Sequence, residues 1–159
     1  MPRRTYVIRL NNWHPTKLNE LMNAHWAVRK RKKDFDANCI AFGVAAADVP
    51  KAECPRKVKL EIVLGPGERG GDPDCYWKSL LDGLVRCGAL VDDSKTWCIP
   101  DSVVFLRGPR RSTVVILENL QVVHGNKTAA EAREEMHRYR AILPGQRRNL
   151  GKITSPNDV

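Results

Sequence analysis

The chain has 159 residues, 42% hydrophobic and 28% charged, which is the length of one ordinary domain able to bury a core without a disulfide or metal staple. Lys and Arg number 27 against 18 Asp and Glu, a net charge of +9, so the expected partner is a polyanion, because each phosphate neutralised releases condensed counterions. Five cysteines without a CxxC spacing and four scattered histidines argue against structural zinc, and the sequence has neither a signal peptide nor an apolar run of roughly 18 residues; a soluble cytoplasmic protein with free thiols and no membrane partner is expected.

Thr5 to Leu10 (TYVIRL) is a short β-rich run, and Asn11 to Thr16, with two Asn and a Pro, reads as a loop. From Lys17 the pattern turns helical: Leu18, Leu21, Met22, His25 and Trp26 recur at three- and four-residue spacing, and Phe35, Cys39, Ile40 and Phe42 extend the stripe toward Ala47. On this spacing Trp26 is expected in the core, as is Trp77 further on. Lys57 to Leu64 alternates polar and apolar, a strand with one buried face. Gly65 to Gly71 breaks regular structure. A helix then starts at Asp72, a good N-cap, with Pro73 at its first position and Gly88 past its end. Ser102 to Leu106 and Thr113 to Leu117 are β-rich and joined by Gly108-Pro109-Arg110-Arg111, which predicts a hairpin. Thr128 to Ala141, rich in Ala, Glu and Arg, is a predicted helix, followed by a polar, basic tail.

The fold class expected is α+β: a single domain with a small mixed sheet, two or three helices and a C-terminal β-hairpin. Residues 1–120 would form it, and 121–159 a basic C-terminal helix and tail.

The segment that carries chemistry runs from Gly70 to Asp93, GGDPDCYWKSLLDGLVRCGALVDD. It puts an Asp-x-Asp at a helix N-terminus, a Lys on that helix and an Asp-Asp just beyond it. Mg²⁺ is a hard ion that takes oxygen ligands and keeps several waters, so two or three carboxylates with phosphate oxygens suffice to hold it. Clustered carboxylates on a basic protein should repel DNA, and a cation between them reverses that repulsion. Each residue also has a plainer role: Asp72 as an N-cap, Asp74 complementing the helix dipole, Asp92 and Asp93 as turn residues, and Lys78 in an ion pair with Asp74 or Asp82.

Asp72, Asp74, Lys78, Leu81-Asp82-Gly83-Leu84, Gly88 and Asp92-Asp93 fall without a gap on the pattern of the RusA family of Holliday junction resolvases, which this chain resembles over residues 4–118. The resemblance implies a homodimeric, Mg²⁺-dependent endonuclease (with Mn²⁺ as a substitute) that resolves four-way junctions or other branched DNA and needs no organic cofactor. Asp72, Asp74 and Asp93 match the family's metal-binding catalytic carboxylates, Lys78 its essential Lys, and Asp92 a supporting partner or substitute for Asp93. One position departs: the residue after Asp-x-Asp is often Asn in the family and here is Cys75, a soft ligand and weak donor.

Given such a site, Arg29, Lys30, Arg31, Lys32 and Lys33 read as a phosphate-contacting strip, with a solvated helix face as the plainer account. Arg107, Arg110 and Arg111, at the predicted hairpin tip, are further DNA-contact candidates. The alternative function is a non-catalytic module that grips branched or single-stranded DNA without cutting it.

Overall fold

A computed structural model of the chain describes residues 4–120 and Glu134. The backbone divides into two units, Met1–Asn126 and Lys127–Val159; of the helix predicted over Thr128 to Ala141 only Glu134, helical and exposed, is described, and the tail after it lies outside the described residues. In the first unit, strand β1 (Thr5–Asn11) is followed by helices α1 (Leu18–Asn23) and α2 (Trp26–Ala46) and strand β2 (Arg56–Leu64). A 3₁₀ turn (Pro73–Tyr76) then runs directly into helix α3 (Trp77–Arg86), and strands β3 (Cys98–Arg107) and β4 (Ser112–Asn119) close the unit. This is the expected α+β domain, a mixed four-stranded sheet with three α-helices.

β2 organises the sheet. Val58, Leu60 and Ile62 are fully buried and Leu64 nearly so, as period-two alternation requires of a strand with one face on the core. β4 pairs antiparallel with β2 on one side and β3 pairs parallel with it on the other, giving the order β1-β4-β2-β3. The expected hairpin is therefore not formed: β3 and β4 are separated by β2, and Arg107, Arg110 and Arg111 do not sit at a hairpin tip. Two interstrand spacings amount to about 10 Å, within reach of a link of roughly four residues. The turn-rich segment from Gly108 to Arg111 thus steps over the end of β2, where the Gly108 N–H donates to Leu64 O (3.0 Å). In that arrangement β2 has hydrogen-bonding partners along both edges, so its backbone groups are satisfied where the core would otherwise leave them dry. β3 is an edge strand, which tolerates the missing N–H of Pro100 beside a register shift between Val58 and Lys59.

The helical pattern from Lys17 onward divides in two. Ala24 is extended, and His25 caps α2 by accepting from the Ala27 N–H (3.4 Å). Arg29 Nη2 donates back to Met22 O and Ala24 O at 3.3 and 3.4 Å, covering carbonyls that the end of α1 leaves open. Trp26, expected in the core, is instead 70% exposed, because the buried residues of α2 begin only at Asp36, ten residues further along the helix. Trp77 is partly buried against the core. No helix among the described residues is long and apolar enough to cross a membrane.

α2 packs on α3 and on β1, and two glycines permit the close approach. Gly43 faces Ile8 and Leu10 of β1, and a Cβ at Gly83 of α3 would run into Ile40 Cδ1 of α2. Gly83→Ala gains up to about 1 kcal/mol of helix propensity but overpacks a dense core at about 1–3 kcal/mol. We expect a net loss of about 1 kcal/mol in urea unfolding, partly recovered by adding Ile40→Val, which removes the obstructing methyl. A Gly83→Ala protein more stable than the parent would refute this account of the helix crossing.

Candidate active site

The glycine-rich loop after β2 delivers the chain to the 3₁₀ turn. Glu68 Oε2 accepts from the Gly65 N–H (2.9 Å); that bond, with Arg111, His14 and Lys17 nearby, holds the Glu68 carboxyl below its ordinary range against a smaller opposing effect of burial. Asp72 then caps the turn as its side-chain type dictates: Oδ1 accepts from the Asp74 N–H (3.1 Å), with Pro73 at the first helical position. Asp72 and Asp74 are both exposed, and only one carboxylate oxygen of Asp72 is used in the cap.

Lys78 lies one turn further on. Its Nζ is 3.0 Å from Asp82 Oδ1 and 3.9 Å from Asp93 Oδ2. The hydrogen bond to Asp82 raises the Lys78 pKa above the ordinary lysine value, burial opposes this, and the charges of Asp82 and Asp93 reinforce it. Of the two ion-pair partners foreseen from sequence, Asp82 is the one used. Its second oxygen lies 3.8 Å from Lys33 Nζ, so Asp82 joins the basic run of α2 to α3 and, through Lys78, to Asp93. All these groups are well exposed, so the pairs are worth tenths of a kcal/mol each to stability; their significance is positional.

The fold thus brings Asp72 to Asp74 and Asp93 to Lys78. Among the described residues, no group of three or more His, Cys, Asp or Glu closes into a metal-binding cluster. The donor chemistry nonetheless suits a hard divalent cation: three exposed carboxylates, Asp72, Asp74 and Asp93, with no soft ligand required. Asp92 is half-buried where Asp93 is exposed. Both aspartates add to the raised pKa of the neighbouring Cys98 thiol, pushed up to about 11 mainly by burial.

The basic residues divide by role. Lys30 and Arg31 are exposed, Lys32 pairs with Glu20 (3.6 Å), Lys33 with Asp82, and Arg29 serves the end of α1. Arg110 is exposed on the link over β2, Arg107 Nη1 donates to Glu68 O (3.4 Å), and Arg111 Nε lies 3.4 Å from Glu68 Oε1.

Two features escaped the sequence reading. Asp36 is 2% exposed and accepts from Trp13 Nε1 (3.0 Å), from the Thr16 N–H (2.9 Å) and from Ser79 Oγ. It ties the loop after β1 to α3, one residue from Lys78. Beside it, a cavity of about 420 Å³ is lined by that loop, by α2 and by the segment that leads into Asp72. The only advance signal was an acidic residue inside an otherwise apolar helical stripe.

No protein-family model matches the chain, and no curated protein matches it in sequence.

Proposed function

We propose that the protein is a Mg²⁺-dependent endonuclease of branched DNA, acting as a homodimer on four-way junctions. The observation that carries the reading is the placement of Lys78: one turn beyond Asp72 and Asp74 in the chain, with Nζ 3.9 Å from Asp93, so that the ammonium pairs with one carboxylate of the motif. Asp72, Asp74 and Asp93 would hold the cation, and Mn²⁺, with similar oxygen preference, would substitute. When bound, the cation neutralises phosphate charge and favours departure of the leaving oxygen.

The chain's own residues supply the rest. Lys78, kept protonated by Asp82 and Asp93, presents a fixed positive charge to a phosphate oxygen whose negative charge grows as the phosphodiester is cleaved. Asp82 restricts where that ammonium can go. Lys30 and Arg31, exposed on the first half of α2, offer charge to the backbone of a neighbouring duplex, and the packing of α2 on α3 fixes α2 relative to Lys78. Two-fold symmetry would match two such sites to the paired strands of a junction.

The test is cleavage of a labelled synthetic four-way junction in Mg²⁺, beside matched linear duplex and a flap substrate. Paired nicks in the junction that vanish with EDTA are expected, with Mn²⁺ restoring them. A junction bound yet uncut in either metal would sink the catalytic reading and leave a DNA-binding module.

A further inference from the structure

The cavity beside the acidic segment has the composition of a receptor for one unit of a nucleic acid. It adjoins the motif physically: the Gly71 N–H donates to Tyr76 Oη (3.4 Å), and a Cβ at Gly71 would meet Lys17 Cε and Nζ at 3.4 Å. Lys17 and Tyr76 both line the cavity, and Lys17 Nζ lies 5.7 Å from the Tyr76 ring centroid. The cavity therefore adjoins the segment that leads into Asp72.

Size, lining and charge agree on the ligand class. About 420 Å³ falls in the range of small-ligand sites. Trp13 (6% exposed), Tyr76 (1%) and Asp36 (2%) are among the cavity's buried lining residues, whereas Phe35 is 63% exposed. A large ring left in water on a helix whose neighbour Asp36 is fully buried is a ready surface for a base to stack upon. Lys17, Arg69 and Arg111 bring three cations to the lining, and Glu20, Asp36 and Glu68 three carboxylates. That balance disfavours a polyphosphate and suits a base with one backbone phosphate. Arg111 Nε is shielded from solvent and lies 3.4 Å from Glu68 Oε1, so this cation is already balanced by a carboxylate of the lining.

We infer that this cavity receives one unstacked nucleotide of the bound DNA, its base against Phe35 and its phosphate toward Lys17 and Arg69. Nucleotides at a branch point are already partly unstacked, so taking one out of the helix costs least there. The site would thereby favour branched over continuous duplex DNA. The inference rests on the DNA-binding part of the proposed function, but it does not require cleavage.

The test uses the full chain in EDTA, with a four-way junction carrying 4-thiothymidine at a branch nucleotide. Binding is read by titration, and the site of contact by photocrosslinking and peptide mapping. Crosslinks are expected on the peptides bearing Phe35 or Lys17. Phe35→Ala should weaken junction binding by about tenfold, as loss of one stacked base does, and abolish that crosslink. Phe42→Ala, which removes an equally exposed ring (77%) elsewhere on α2, should change binding less than about twofold. Equal effects of the two variants, or crosslinks confined to the Arg29–Lys33 peptides, would overturn the cavity assignment while leaving DNA binding intact. A wild-type chain that fails to bind the junction would overturn both. Binding through Phe35 without cleavage in Mg²⁺ would uphold the cavity and refute the nuclease.

Discussion

Asp74→Asn is expected to bind a four-way junction as the wild type does and to cut it about 10²–10³-fold more slowly, the loss of a few kcal/mol of charge stabilisation at the reacting phosphate. The geometry makes this a clean substitution. The Asp74 side chain is exposed, and what Asp74 gives to the fold is its backbone N–H, donated to Asp72 Oδ1, which Asn retains. Unfolding midpoints should therefore coincide. Asp72 can be dissected in the same way. Asn caps a helix as well as Asp does, whereas Ala costs about 1 kcal/mol. If Asp72 is a cap alone, Asp72→Asn keeps full activity and only Asp72→Ala is impaired; if it also holds the cation, both lose cleavage. Undiminished cutting by Asp74→Asn would remove the motif from the chemistry altogether.

The contrast between Asp72 and Asp36 marks what local sequence can carry. Asp72 has its structural partner two residues away, with Pro73 between, so the cap could be read directly and is found. The same holds for Lys78 and Asp82, four residues apart on one helix, and for the alternation of Val58, Leu60 and Ile62. Asp36 takes its hydrogen bonds from Trp13, 23 residues back, and from Ser79, 43 residues on; no periodicity encodes such distances. Strand order failed for a related reason. Turn residues between two β-runs specify that the chain reverses, but not whether a third strand lies between. The apolar face of β2, with Val58, Leu60 and Ile62 fully buried, decides that through competition for the centre of the sheet. Trp26 shows a third limit: helical spacing identifies a face, but not where along the helix the core ends.

Asp36→Ala is expected to be strongly destabilising although it lies outside the apolar core. The carboxylate is 2% exposed and serves three donors. Removing it returns the desolvation cost of one charge, but it leaves an indole N–H, a backbone N–H and a hydroxyl without their acceptor. Stranded buried donors cost about 1–3 kcal/mol each, and breaking a buried charged network typically costs about 3–5 kcal/mol. Against a total stability of about 5–15 kcal/mol, a loss near 4 kcal/mol is decisive, and it should appear in urea as a lower midpoint with little change in slope. Asp36→Asn keeps one acceptor oxygen but turns an amide N–H toward a donor, so an intermediate loss is expected. Asp34→Ala, which removes an exposed partner of Arg86 at 3.0 Å on the same helix, should cost less than about 1 kcal/mol. If Asp36→Ala and Asp34→Ala unfold alike, the buried carboxylate is not the tie between the loop and α3. If they differ as expected, that tie bears on the proposed chemistry: Asp36 hydrogen-bonds both the cavity wall at Trp13 and Thr16 and the helix carrying Lys78. A partly folded Asp36→Asn protein should then lose junction cleavage in excess of its unfolded fraction, because the distance from the nucleotide site to the ammonium is no longer fixed.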